Sequence, residues 1–131
     1  MAKGAPMILD TCALLWLAEG GKRLRRLVLK AINETPAVYV SAISGFEISL
    51  KAARGKLELP CPAREWFDRI VEQHNLTVLA LDLGTCIVAA ELPWIHDDPC
   101  DRFIIAMAKL NELGVVTVDE RFEKYGIEVI L

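Results

Sequence analysis

No apolar run in this chain is long enough to cross a bilayer. Runs such as Met7 to Leu9 and Val115 to Val118 stop far short of the roughly 20 residues that a spanning helix needs. Met1 to Pro6 carries a single Lys with no apolar segment after it, so no secretory leader is expected and the cytoplasm is the expected compartment. CxxC pairs are missing too. Cys12, Cys61, Cys86 and Cys100 stand far apart, whereas zinc sites use closely spaced ligand pairs and disulfide scaffolds need an oxidising compartment. All four are expected to be reduced, small apolar side chains. The chain also lacks a basic excess: 15 Lys and Arg stand against 18 Asp and Glu, a formal net charge of −3. A phosphate backbone is usually met by surplus cations. A nucleic-acid enzyme of this composition would need carboxylates gathered on a metal to explain the acidity, and local basic patches to meet the strand. There is no internal repeat, linker or low-complexity segment.

What is present suits a globular fold. Hydrophobic residues make up 53% of the 131 positions and charged residues 25%, enough to fill one core and too ordinary for disorder. The length fits a single domain over residues 1–131. Short β-like runs alternate with helical patterns. Met7-Ile8-Leu9 reads as a buried strand ending at Asp10, followed by a helix over Thr11 to Ala18. Leu24, Leu27, Val28 and Ile32 recur at helical spacing between Lys22 and Asn33. Val38 to Val40 is a second strand, with Ser41 and Ser44 as candidate caps of a helix running through Phe46, Ile48 and Leu50 toward Gly55. Pro60 and Pro62 mark the start of a helix carrying Trp66, Phe67, Ile70 and Val71. Thr77 to Leu79 is a strand, and Leu83 to Leu92 a helix closed by Pro93. Pro99 opens the longest helix, expected to reach Leu113 and stop at Gly114. Val115 to Val118 and Ile127 to Leu131 complete the set as strands.

This alternation predicts a three-layer α/β/α sandwich with a mostly parallel central sheet. Sites in such sheets form beyond the carboxyl ends of the strands, near a topological switch point. Asp10 and Asp119 follow expected strands, while Glu47 and Asp101 sit in the first turns of helices, so all four can face one edge. Clustered carboxylates repel, and a divalent cation reverses that by making each charge favourable. Oxygen-only ligands suit Mg²⁺ or Mn²⁺, ions that activate water and neutralise charge on a phosphodiester. Each acid also has a local reading. Asp10 could cap the helix behind it, Glu47 could pair with Lys51, Asp98 and Asp101 could serve a helix N-terminus, and Asp119 could begin a turn. Spacing alone leaves both readings open.

Four motifs carry a resemblance. They are Leu9-Asp10-Thr11-Cys12-Ala13-Leu14-Leu15-Trp16-Leu17; Phe46-Glu47-Ile48-Ser49-Leu50-Lys51 with Gly55-Lys56-Leu57-Glu58-Leu59-Pro60; Leu92-Pro93 with His96-Asp97-Asp98-Pro99-Cys100-Asp101-Arg102; and Thr117-Val118-Asp119-Glu120-Arg121-Phe122 with Tyr125-Gly126. In this order and span the chain resembles the PIN-domain toxins of the VapC type. The resemblance implies a Mg²⁺- or Mn²⁺-dependent endoribonuclease, restrained by a cognate antitoxin protein. It implies Asp10, Glu47, Asp101 and Asp119 as the catalytic, metal-holding acids, with Thr11 and Thr117 placed to orient waters around the ions. By the family's chemistry water attacks phosphorus, leaving a 5′-phosphate and a 3′-hydroxyl. A homodimer is also expected, with Trp16 and Leu17 as candidates for either an interface or the core. The family commonly has His at the position of Cys12, Trp at Phe46, Arg at Asp97, Phe at Cys100 and Gln at Met107. None of these departures removes an expected ligand, but Asp97 replaces a basic charge.

His96 reads more readily as structural than as catalytic. Lys51, Arg54, Lys56 and Arg102 are the cations best placed to meet RNA, and Lys22, Arg23, Arg25, Arg26 and Lys30 form a second basic group or a solvated face. A receiver-type signalling module would need an acidic pair after the first strand and a Lys after a late one. Asp10 stands alone and no Lys follows Val118, so that alternative fails. A catalytically silent interaction domain is the other alternative, and the intact acid set argues against it.

Overall fold

The computed structural model describes residues 4–130. It contains five parallel strands in the order β3-β2-β1-β4-β5: β1 (Met7–Leu9), β2 (Val38–Ser41), β3 (Thr77–Leu79), β4 (Gly114–Val116) and β5 (Val129–Ile130). The helices are α1 (Thr11–Ala18), α2 (Arg26–Glu34), α3 (Ala42–Ala53), α4 (Ala63–Gln73), α5 (Leu83–Glu91) and α6 (Pro99–Asn111), followed by a 3₁₀ turn over Glu120–Tyr125.

The strands are short; β1, β2 and β4 are largely buried, as parallel strands covered by helices are, while edge strand β3 is mostly exposed. Their period-2 alternation divides the core. Met7, Leu9, Val38, Val40 and Val116 pack with Leu14 and Leu17 of α1, Ile32 of α2, and Trp66 and Ile70 of α4. Ile8 and Val115 face the other way, onto Ala89 of α5, Ile104 to Ala108 of α6 and Phe122. The result is the expected α/β/α sandwich, with every pairing parallel. Each fully buried Leu, Ile or Phe contributes about 1.5–3 kcal/mol, so β1, central and wholly inside, anchors both layers.

The chain enters the sheet at its centre. From β1 it builds outward through β2 to β3, then returns on the opposite side with β4 and β5. The order therefore reverses between β1 and β4, which creates the crevice expected of a switch point beside Asp10.

Several boundaries differ from expectation. Strand β4 opens at Gly114 and ends at Val116, so Asp119 does not directly follow a strand. The cause is local. The Thr117 hydroxyl accepts the Asp119 N–H at 3.0 Å, turning the chain outward and leaving Val118 57% exposed. Helix α6 stops at Asn111, because Glu112 takes a left-handed conformation with φ 54°. Helix α2 starts at Arg26, since Arg25 before it is extended at φ −60° and ψ 145°, after a loop in which Gly20 and Gly21 take φ 104° and 78°. The last strand is confined to Val129 and Ile130 among the described residues, and Leu131 lies outside them. Leu17 is 1% exposed and belongs to the core. The four cysteines are free, and Cys12 is exposed rather than packed.

Candidate active site

Local chemistry sets each acid in place. Asp10 is the N-cap of α1, its Oδ1 accepting the Ala13 N–H at 2.8 Å. Its own N–H donates to the Val116 carbonyl, tying the head of α1 to the end of β4. The Thr117 hydroxyl also bonds the Asp10 carboxylate. Burial nevertheless raises the Asp10 carboxyl above its ordinary range, with the charges of Asp119 and Glu47 adding to the effect.

Asp119 caps the 3₁₀ turn, accepting the Arg121 N–H. The Arg121 guanidinium grips both of its oxygens, Nε to Oδ1 at 3.0 Å and Nη2 to Oδ2 at 2.8 Å. These bonds, led by those of the Arg121 side chain and joined by one from His96, hold Asp119 well below the usual carboxylate range.

Asp101 lies in the first turn of α6, behind the Asp98 N-cap and Pro99. Burial, then the charges of Asp98, Asp10, Glu47 and Asp119, pushes its carboxyl up to about 7. Glu47 projects from the second turn of α3. One oxygen faces Lys51 Nζ at 3.4 Å, while Oε1 is buried with no hydrogen-bond partner. The capping and pairing readings of the sequence therefore hold at the same time as the clustering.

His96 is the residue that sequence reasoning undervalued. It is 1% exposed, and its Nε2 lies 2.9 Å from Asp119 Oδ2 and 3.1 Å from Asp101 Oδ2. Nδ1 accepts the Asp98 N–H at 3.2 Å, so in the neutral ring the proton belongs on Nε2, pointing between the two carboxylates. His96 thus sits within 4.8 Å of two acids as a metal-binding trio would, yet its tautomer makes it a donor to them rather than a ligand. The position of His96 three residues before Pro99 was the available signal.

Arg102 corrects an expectation. It is 2% exposed, donating to the carbonyls of Leu92 at 2.7 Å and of Pro93 and His96 at 3.0 Å, with Trp94 stacked 3.6 Å away. It fixes the loop that carries His96 and cannot reach RNA. Thr11 is turned inward, bonding Ser44 at 2.9 Å and linking α1 to α3.

The donor set fits a hard divalent cation. Among the described residues Asp101 and Asp119 close up with His96 to within 4.8 Å, while Asp10 and Glu47 stand near enough to act on them through their charges; one oxygen is buried without a partner, and one carboxyl resists ionisation. A cation would satisfy the orphan oxygen and offset the repulsion.

A family model of the PIN domain matches residues 7–128. This chain belongs to the PIN domain family. Ribonuclease VapC22 of Mycobacterium tuberculosis (strain ATCC 25618 / H37Rv) is 29% identical over 120 residues, covering 91% of each chain. Among solved structures, a PIN-like match is VapBC2 from Rickettsia felis bound to a DNA fragment from their promoter. Its TM-score is 0.72 at 13% identity, over 95% of this chain and 96% of that one. A toxin-antitoxin complex from Klebsiella pneumoniae matches at TM-score 0.64 and 18% identity, over 95% and 96%. These two likenesses speak to the PIN fold. Among the described residues no helix of this PIN domain is long and apolar enough to cross a membrane.

Proposed function

We propose that this PIN domain is a metal-dependent endoribonuclease, the toxin of a toxin–antitoxin pair. The acid cluster at the β1/β4 switch point carries the reading, and within it the orphaned Glu47 Oε1 beside an Asp101 pushed up to about 7. The kinship with Ribonuclease VapC22 supports RNA as substrate. Asp10, Glu47, Asp101 and Asp119 would hold Mg²⁺ or Mn²⁺, directly or through water. When bound, the ion supplies charge neutralisation at the phosphate and activates water for attack on phosphorus.

The chain's own part is preorganisation. Arg121 and the Thr117 turn fix Asp119. The Thr117 hydroxyl and the Ala13 N–H fix Asp10. His96 spans Asp119 and Asp101, keeping a strand-derived and a helix-derived carboxylate at one spacing. Arg102 holds the His96 loop from beneath.

A protein partner is part of this reading. The fold is shared with VapBC and toxin-antitoxin complexes, and Leu27, Phe46, Leu83 and Leu110 leave large apolar side chains exposed. A short antitoxin that covers such surface and closes the cleft would restrain the nuclease.

Purified protein incubated with single-stranded RNA in Mg²⁺, in Mn²⁺ and in chelator tests the proposal. Cleavage is expected with either metal, with 5′-phosphate ends, and none in chelator. Cleavage of equal rate in chelator would overturn the metal-held site. Mapping those 5′ ends would also name the RNA.

A further inference from the structure

Beside Asp10 the surface sinks into a cavity of about 310 Å³ whose lining includes none of the other three acids. That volume lies at the small end of ligand-binding sites, which run from about 300 to 1,000 Å³. Asp10 and Thr117 form the wall it shares with the cluster, Trp16 of α1 forms another, and Val118 and other aliphatic side chains complete it. Arg23 and Arg25 stand on its rim, both exposed. Neither forms an ion pair among the described residues. In a chain of net charge −3, two free guanidiniums beside a nest of carboxylates have no use within the fold.

The geometry points to this cavity as a subsite for one base of single-stranded RNA, next to the phosphate that the acids address. The inference rests on the ribonuclease reading. An occupant must offer a flat apolar face to the indole, an anion to Arg23 and Arg25, and a backbone that reaches the acids within one unit. A nucleotide carries all three features on a single residue. No one amino-acid residue combines an aromatic face with an anion, so a protein segment would need several residues to do the same. The base stacks or packs against Trp16, as bases do on aromatic platforms. The guanidiniums take the adjoining phosphate, offsetting the repulsion that the acid cluster exerts on the strand. A solitary enclosed base also gives the enzyme a place to prefer one base over another.

The test uses labelled eight-nucleotide strands, the four homopolymers and an abasic strand of equal length. Their affinities are measured by fluorescence anisotropy on Asp101→Asn protein in Mg²⁺. At least one base-bearing strand should bind roughly tenfold tighter than the abasic strand. Trp16→Leu, which keeps apolar volume for α1, should bring that ratio close to one. Arg23→Gln with Arg25→Gln, both exposed and safe for folding, should weaken base-bearing and abasic strands alike while the ratio stands. Arg64→Gln, on α4, serves as the unaffected control.

Equal affinity for base-bearing and abasic strands overturns the subsite, and so does a ratio that survives Trp16→Leu. Variants that leave RNA binding intact but break the complex with the antitoxin give the cavity to a protein partner and likewise overturn it. Wild-type protein that cleaves no RNA in Mg²⁺ sinks the underlying ribonuclease reading instead, a failure visible without these strands.

Discussion

Asp10, at the end of β1, and Asp119, in the turn beyond β4, are held by the chain's own donors; Glu47 and Asp101, which ride on helices, share the same cleft with far less support. Asp119 has a bidentate arginine, a cap and the His96 N–H, and lies well below the usual carboxylate range. Asp10 is buried and raised, yet its cap and the Thr117 hydroxyl oppose that rise. Glu47 keeps a buried oxygen with no partner, and Asp101 is pushed up to about 7. A folded chain rarely leaves a buried carboxylate oxygen unsatisfied without a reason. The difference teaches that one half of the cluster is preassembled and the other is not; on the proposed reading, that second half is what a cation completes. The helix-borne half is where metal should act most strongly.

The largest effect expected is on catalysis. Asp101→Asn keeps the shape of α6 and removes one charge of the cluster. RNA cleavage in Mg²⁺ should fall by about a hundredfold or more, with far-ultraviolet dichroism unchanged. Cleavage at the wild-type rate would remove Asp101 from the site and with it the contrast between the two halves.

The contrast itself predicts opposite signs for stability in chelator at pH 8. Asp101 ionises reluctantly in the fold, so Asp101→Asn should stabilise the metal-free protein, on the order of 1–3 kcal/mol. Asp119 ionises readily, so Asp119→Asn should destabilise it. Its ion pair with the half-exposed Arg121 is screened by solvent, so the loss should be small beside the gain at Asp101. The pH dependence carries the same signature. Between about 4 and about 7 the folded protein binds a proton at Asp101 that the unfolded chain releases, so this group costs stability as pH rises through that window. Asp101→Asn should remove that slope, and its advantage should vanish near pH 4. Thermal unfolding of both variants across this range checks the pair, and equal signs would erase the distinction.

Much of this cleft could be read in the sequence, because its parts are local. Asp10 after Met7-Ile8-Leu9 and Asp101 after Pro99 are fixed by the strand end and helix start that hold them. What escaped was set by long-range contacts. Arg102 looked like a free cation three residues from a Pro-opened helix start, yet the carbonyls of Leu92 and Pro93 draw it inside. His96 offered no periodicity, and its role depends on Asp119, which lies 23 positions away. The end of β4 was misplaced because Val118 continues the apolar run, while the Thr117 hydroxyl has already turned the backbone. The cavity beside Trp16 was equally hidden, since its walls come from α1, the loop before α2 and the ends of β4 and β5.

Metal should repay the helix-borne half in particular. At about ten times its dissociation constant, Mg²⁺ should stabilise the wild-type protein by roughly 1.4 kcal/mol. Asp101→Asn should gain less, having lost a ligand while starting from a less strained state. Unfolding midpoints with and without Mg²⁺ measure both gains. An equal gain in the two proteins would place the ion away from α6.

The smallest effect separates two uses of Lys51. The sequence offers it as a cation for RNA, and the structure sets it 3.4 Å from Glu47, one turn along α3. If that pairing is its main task, Lys51 partly offsets the Glu47 charge while the metal is away and has little to do once the metal is bound. Lys51→Met should then destabilise the protein in chelator by only a few tenths of a kcal/mol, because the lysine side chain is 47% exposed and the pair is screened. In saturating Mg²⁺ the loss should shrink or disappear, so the stabilisation by Mg²⁺ becomes slightly larger than in wild type. The turnover number should stay within about twofold of wild type, since the removed charge touches no ligand of the ion other than Glu47. A rise in KM with unchanged stability would show the opposite: Lys51 would be meeting phosphate, and Glu47 would stand even more alone than the metal-free cluster suggests.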